Sequence, residues 1–178
     1  AINAGVSGST TNDGLSRLKW YLKRKPDIIF VALGANDGLR GLDLKQSQKN
    51  LEEIINHALK SKANVLLVGM LIPPNYGPKY SQDFKEMYEN IQSKYNLKFM
   101  PFLLKDVAGV QKLNQADGIH PNEKGHEIIA KEVYERLYRK DNEVLIEEKV
   151  EENVYNSTKY SNHNRVRTVD EPFVEYSA

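Results

Sequence analysis

Three short apolar runs, separated by segments whose apolar residues recur at helical spacing, restrict this chain to a narrow set of folds. The runs are Asp27 to Leu33 (DIIFVAL), Ala63 to Gly69 (ANVLLVG) and Leu97 to Phe102 (LKFMPF). Each is rich in Val, Ile, Leu or Phe and bounded by Gly, Pro or polar residues, as buried parallel strands are. Asp13 to Lys25 places Leu15, Leu18 and Leu22 on one stripe, and Leu44 to Ser61 does so with Leu51, Ile54, Ile55, Ala58 and Leu59. Ser81 to Tyr95 (Phe84, Met87, Tyr88, Ile91) and Glu123 to Arg139 (Ile128, Ile129, Val133, Leu137) repeat the pattern. Strands alternating with helices predict an α/β fold with a parallel sheet covered on both faces. Ala1 to Gly5 reads as the end of a further strand.

With 178 residues and 40% hydrophobic content the chain supports one folded domain, assigned to residues 1–139. Residues 140–178 hold nine acidic and five basic residues with few large aliphatics, and read as a charged, poorly ordered tail. Asn156-Ser157-Thr158 within it fits a glycosylation triplet, a pattern common by chance. A formal charge of +1 supplies no field that favours nucleic acid or acidic lipid. No window approaches the roughly 18 consecutive apolar residues of a membrane helix, so stable insertion is not expected. The absence of cysteine removes disulfides, thiolate catalysis and cysteine-based zinc sites.

Function in open parallel sheets collects in loops beyond the carboxyl ends of the strands. Three such loops stand out. Asn3-Ala4-Gly5-Val6-Ser7-Gly8-Ser9-Thr10 offers backbone N–H groups and a cap for the next helix, although small-residue turns usually serve geometry alone. Leu33-Gly34-Ala35-Asn36-Asp37-Gly38 places an amide donor at a strand end, where it could face a developing oxyanion. Asp117-Gly118-Ile119-His120-Pro121 sets a carboxylate three residues before an imidazole. On a tight turn that spacing brings the carboxylate to Nδ1, fixes the tautomer and leaves Nε2 as a general base. A lone histidine near a helix start is more often structural; the paired acid favours chemistry here.

These three blocks, in this order, resemble the SGNH, or GDSL, hydrolase family. Asn3 to Gly8 is similar to the family's glycine block, Gly34-Ala35-Asn36-Asp37 to its G-x-N-D block, and Asp117 to His120 to its D-x-x-H block. Asn36 to Gly41, Val68-Gly69-Met70, Pro73 to Gly77 and Pro101 to Leu104 resemble its bacterial arylesterase, acyl-CoA thioesterase and lysophospholipase branch. The resemblance spans about residues 2–138. It implies a flavodoxin-like three-layer α/β/α sandwich of the SGNH hydrolase type. It also implies a serine ester hydrolase working through an acyl-enzyme without a cofactor or metal, on a small-molecule ester or thioester with an acyl chain. Gly8 (backbone N–H) and Asn36 (side-chain amide) would form the oxyanion hole, and His120, oriented by Asp117, the general base. Asp37, Leu39, Ile72, Pro73 and Tyr76 would border the acyl groove. A periplasmic or secreted location fits the resemblance.

The sequence departs from the family at one point. No Gly-Asp-Ser occurs anywhere in it, and Ser7 and Ser9 lie inside the glycine block rather than on a strand-to-helix elbow. The family's nucleophile block would lie upstream of Ala1, so the chain is expected to lack the first strand and helix and to be inactive alone. A missing N-terminal segment would then leave apolar surface exposed beside the Asp27 to Leu33 strand. A non-catalytic binding module that keeps the groove is the alternative from another class. A phosphate cradle at Gly5 to Thr10 lacks the lysine of a G-x-x-x-x-G-K-[S/T] motif. His120 and His126 are six apart, not the i, i+4 pair of a zinc helix.

Overall fold

The computed structural model describes residues 1–138. The charged tail read from residue 140 onward, with its glycosylation triplet, lies outside the described residues. Helix α1 (Thr11–Tyr21) precedes strand β1 (Ile28–Val31), followed by helices α2 (Ala35–Leu39) and α3 (Leu44–Lys60). Strand β2 (Asn64–Val68), helix α4 (Pro78–Tyr95), strand β3 (Lys98–Met100) and helix α5 (Glu123–Tyr138) complete the order. The three strands form one parallel sheet in the order β1-β2-β3, with Phe30 opposite Leu66 and Leu67 opposite Phe99. Each of the three apolar runs is therefore a strand, trimmed by one or two residues at each end.

Alternation along the strands sends two side-chain sets to opposite faces. Val31, Val65 and Leu67 meet Leu51, Ile54, Ile55 and Ala58 of α3 and Phe84, Met87, Tyr88 and Ile91 of α4 in the main core. Leu15 and Leu18 of α1 pack at its margin. On the other face Leu66, Val68 and Met100 are covered by Val133 and Leu137 of α5 and by Leu103. Two helical layers thus enclose the sheet, as the α/β reading requires.

Coverage of that second face stops short of β1. Ile28 and Phe30 point to the side that α5 covers over β2 and β3, yet remain 41% and 42% exposed. Two expectations are corrected. Ala1 to Gly5 is irregular rather than the end of a strand, since no ladder partner holds it. Ile128 is exposed rather than inward-facing, because α5 lies against the short β3 side of the sheet through Val133 and Leu137.

Helix direction places the loops. Arg136 donates to the Phe99 carbonyl and Lys98 to that of Leu137, so the C-terminal end of α5 lies beside β3. Because Lys98 begins β3, α5 runs back along the sheet and its first residues lie toward the strands' carboxyl ends. Thr11, at the start of α1, meets Asp37 just beyond β1. The segments before α1, within α2 and before α5 therefore emerge at the same edge.

Candidate active site

The glycine block folds as a turn, with Ser9 N–H donating to the Val6 carbonyl at 3.2 Å. Gly8 adopts φ +74°, a left-handed conformation that a residue with a Cβ enters only at a cost. Thr10 leads into α1, and the Asp13 carboxylate accepts from Thr10 N at 2.9 Å and Thr10 Oγ1 at 3.0 Å. Those two bonds, the backbone one first, hold the Asp13 carboxyl below its usual range.

Asn36 lies on α2, a five-residue helix where the sequence suggested a loop. Its lead-in, Gly34, sits at φ +110°, and a Cβ there would run into the Tyr88 hydroxyl. Tyr88, almost wholly buried, donates to the Leu33 carbonyl at 2.9 Å and supports the turn from beneath. Burial, then the nearby Asp37 charge, pushes that phenol far up, so it stays a donor.

The structure brings the glycine block and Asn36 together. Asn36 Nδ2 donates to the Ser9 carbonyl at 3.0 Å, one residue beyond Gly8, and Arg40 Nη2 donates to the Gly8 carbonyl at 2.9 Å. Arg17 Nη1 reaches Ser9 Oγ at 2.9 Å. An open cavity of about 630 Å³ beside Gly8 is lined by Ser7, Ser9, Asp13, Arg17 and Trp20 among others. Asn36, Asp117 and His120 are not on its wall.

The acid and the imidazole meet on their own turn. Asp117 Oδ1 accepts from Ile119 N and His120 N, both at 3.0 Å, and Oδ2 lies 2.8 Å from His120 Nδ1. A carboxylate only accepts, so Nδ1 carries a proton, and in the neutral ring this leaves the lone pair on Nε2. The His120 N–H, then the Ile119 N–H, then the imidazole hold the Asp117 carboxyl down to about 2. Both side chains are exposed, as a site approached from solvent requires.

Two residues outside the sequence reading fasten this turn. Buried Asn114 donates to the Val107 carbonyl at 2.7 Å and the Val110 carbonyl at 2.9 Å, and pairs with Pro121 across a β-bridge. Asn122 Oδ1 accepts from Gly125 N at 3.2 Å and its amide donates to the carbonyls of Lys112 and Asn114. An asparagine directly before a helical pattern is an N-cap signal, so Asn122 was legible. Nothing local marks Asn114.

Of the residues expected along a groove, Leu39 and Pro73 are exposed, and the Tyr76 hydroxyl donates to the Leu39 carbonyl at 2.8 Å, joining two of them. Ile72 is 8% exposed and packs into the main core beside Gly38. Asp37 is 2% exposed, and its carboxylate turns inward onto Thr11 and Ser47. These two support the loops from within instead of bordering a groove, because the tight turn of α2 directs Asp37 toward α1 and α3.

Residues 1–128 match the GDSL-like Lipase/Acylhydrolase family. The chain is 44% identical over 121 residues to Esterase TesA of Pseudomonas aeruginosa, a match covering 67% of this chain and 60% of that protein. It is 35% identical over 130 residues to Thioesterase 1/protease 1/lysophospholipase L1 of Escherichia coli, covering 72% of this chain and 62% of that protein. The chain thus spans about three fifths of the length of these two relatives. The crystal structure of the esterase EstA from Pseudoalteromonas sp., inhibited by monoethylphosphonate, superposes with a TM-score of 0.73 at 39% identity, covering 76% of this chain and 75% of that one. The blocks around Gly8, Asn36 and Asp117–His120 thus lie within the matched span, and the chain belongs to the GDSL-like lipase/acylhydrolase family.

Proposed function

We propose that this chain carries the acid–base pair and the oxyanion donors of a serine ester hydrolase acting on a small-molecule ester or thioester with an acyl chain. The observation that carries the reading is the Asp117–His120 contact of 2.8 Å on a turn whose backbone N–H groups also hold the carboxylate. Membership of a lipase/acylhydrolase family and similarity to named esterases support it.

In this reading a serine hydroxyl attacks the acyl carbonyl while His120 Nε2 takes its proton. The oxygen that gains charge faces Gly8 N–H and the Asn36 amide. The tetrahedral species collapses to an acyl-enzyme as His120 returns the proton to the departing alcohol or thiol. Water, deprotonated by His120, then releases the acid. One strong oxyanion donor contributes on the order of 2.7–4 kcal/mol of barrier lowering. Asp117 keeps the imidazole in the productive tautomer.

No Gly-Asp-Ser motif occurs in the 178 residues, so the serine of this scheme is one that the sequence does not present in that form. The alternative from another class is a binding module retaining the hydrolase loops. A serine-directed phosphonate probe and a short-chain p-nitrophenyl ester, applied to the complete protein, separate the two. Labelling with turnover supports the hydrolase; a complete protein that neither labels nor hydrolyses supports the binding module. Among the described residues no helix is long and apolar enough to cross a membrane. A periplasmic or secreted setting belongs to the same proposal.

A further inference from the structure

The buried carboxylate of Asp37 has no part in the scheme above, yet it lies next to Asn36 in sequence and joins three helices. Oδ2 accepts the Thr11 N–H at 2.9 Å, and Oδ1 accepts Thr11 Oγ1 at 2.6 Å and Ser47 Oγ at 2.9 Å. Thr11 and Ser47 are themselves buried, and Asn50 of α3 donates to Thr11 Oγ1 at 3.0 Å. No ion pair balances Asp37 among the described residues. Burying an unpaired carboxylate is costly, and these hydrogen bonds are what offsets it. An ionised carboxylate only accepts, which suits three converging donors.

The consequence lies in which segments are gripped. Two successive residues of α2 hold the strip leading into α1 at two points: Asn36 donates to the Ser9 carbonyl, and Asp37 accepts from Thr11. Gly8 directly precedes that strip. Its exposed turn has one further hold, from Arg40 directly after α2, on the Gly8 carbonyl. We propose that Asp37 is a positioning residue that sets the spacing between Gly8 N–H and the Asn36 amide, fixing both to α3 through Ser47. This rests on the reading of Gly8 and Asn36 as the oxyanion donors.

The test is a ¹⁵N–¹H spectrum of the chain with Asp37→Asn, Thr11→Ala and Ser47→Ala, alongside the melting temperature of each. An asparagine presents an N–H₂ where donors converge, so Asp37→Asn displaces the Gly8 amide and the Asn36 side-chain amide well beyond core amides such as Leu51 and Ile91. Thr11→Ala, which deletes one donor, displaces the same two resonances by less. Ser47→Ala, which cuts the tie to α3, lowers the melting temperature and displaces both resonances, again by less than Asp37→Asn. A folded Asp37→Asn chain with both resonances unmoved makes Asp37 a stability residue only and overturns the proposal. If Asp37→Asn does not fold, unmoved resonances in Thr11→Ala overturn it instead. A complete protein inert toward esters is a failure of the hydrolase reading, seen in that assay and not in these spectra.

Discussion

Asp117 and His120 are joined twice over: carboxylate Oδ2 lies 2.8 Å from the imidazole Nδ1, and Oδ1 accepts the backbone N–H of the same histidine at 3.0 Å. The acid thereby fixes both the ring and the chain that carries it. Replacing His120 by Ala removes the proposed base while leaving the core untouched. Turnover of an ester by the complete protein is expected to fall at least about 10²–10⁴-fold. The melting temperature should change little, since the side chain is exposed. Steady-state kinetics and a thermal melt on the same sample check both.

Asn36→Ala deletes an amide proposed to act on charge that develops only in the transition state. kcat is expected to drop on the order of 10²–10³-fold with KM nearly constant. The substitution also frees the Ser9 carbonyl, so kcat and KM must be measured separately. An undiminished kcat removes Asn36 from the oxyanion role.

Acid should loosen the turn late. The Asp117 carboxyl is held down to about 2, below its ordinary 3.8, by the His120 and Ile119 N–H groups and the imidazole. A depressed folded-state value means that its contribution is complete above about pH 4 and lost as pH falls through about 2. Amide exchange at Ile119 and His120 should stay protected down to about pH 4 and rise below it. Loss of protection near pH 6 would contradict this.

Gly34→Ala meets two obstacles, a φ of +110° and the Tyr88 hydroxyl in the space a methyl would take. Left-handed strain alone costs about 1–3 kcal/mol. Tyr88→Phe relieves the crowding but strips the Leu33 carbonyl of its donor, at about 1 kcal/mol. Urea unfolding of both variants should show the glycine replacement as the more damaging.

The sheet and its long helices were legible because strand and helix periods differ sharply, and DIIFVAL or the α3 stripe satisfies only one of them. Helix α2 was not, since its five residues are shorter than any window that reveals a period. Ala1 to Gly5 read as a strand end from composition, while strand identity depends on a neighbour to pair with. At the site, the Asp117–His120 contact follows from three-residue spacing on a turn. The inward direction of Asp37 depends on Thr11 and Ser47, 26 and 10 residues away, which no local pattern reveals. The family resemblance assigned Asp37 and Ile72 to a groove, and tertiary packing assigns them to support.

The proposed chemistry requires that the Asp117–His120 pair and the Gly8–Asn36 donors face one reacting centre. A pH titration of the ¹⁵N-labelled chain, with His120→Ala as reference, tests it without requiring turnover. Protonating His120 places a charge whose influence on exposed groups is largely screened beyond about 8–10 Å. The Asn36 side-chain amide and the Gly8 amide are expected to shift with the midpoint of the His120 ring, and these shifts to vanish in His120→Ala. Gly8 and Asn36 resonances that ignore the protonation of His120 would contradict it.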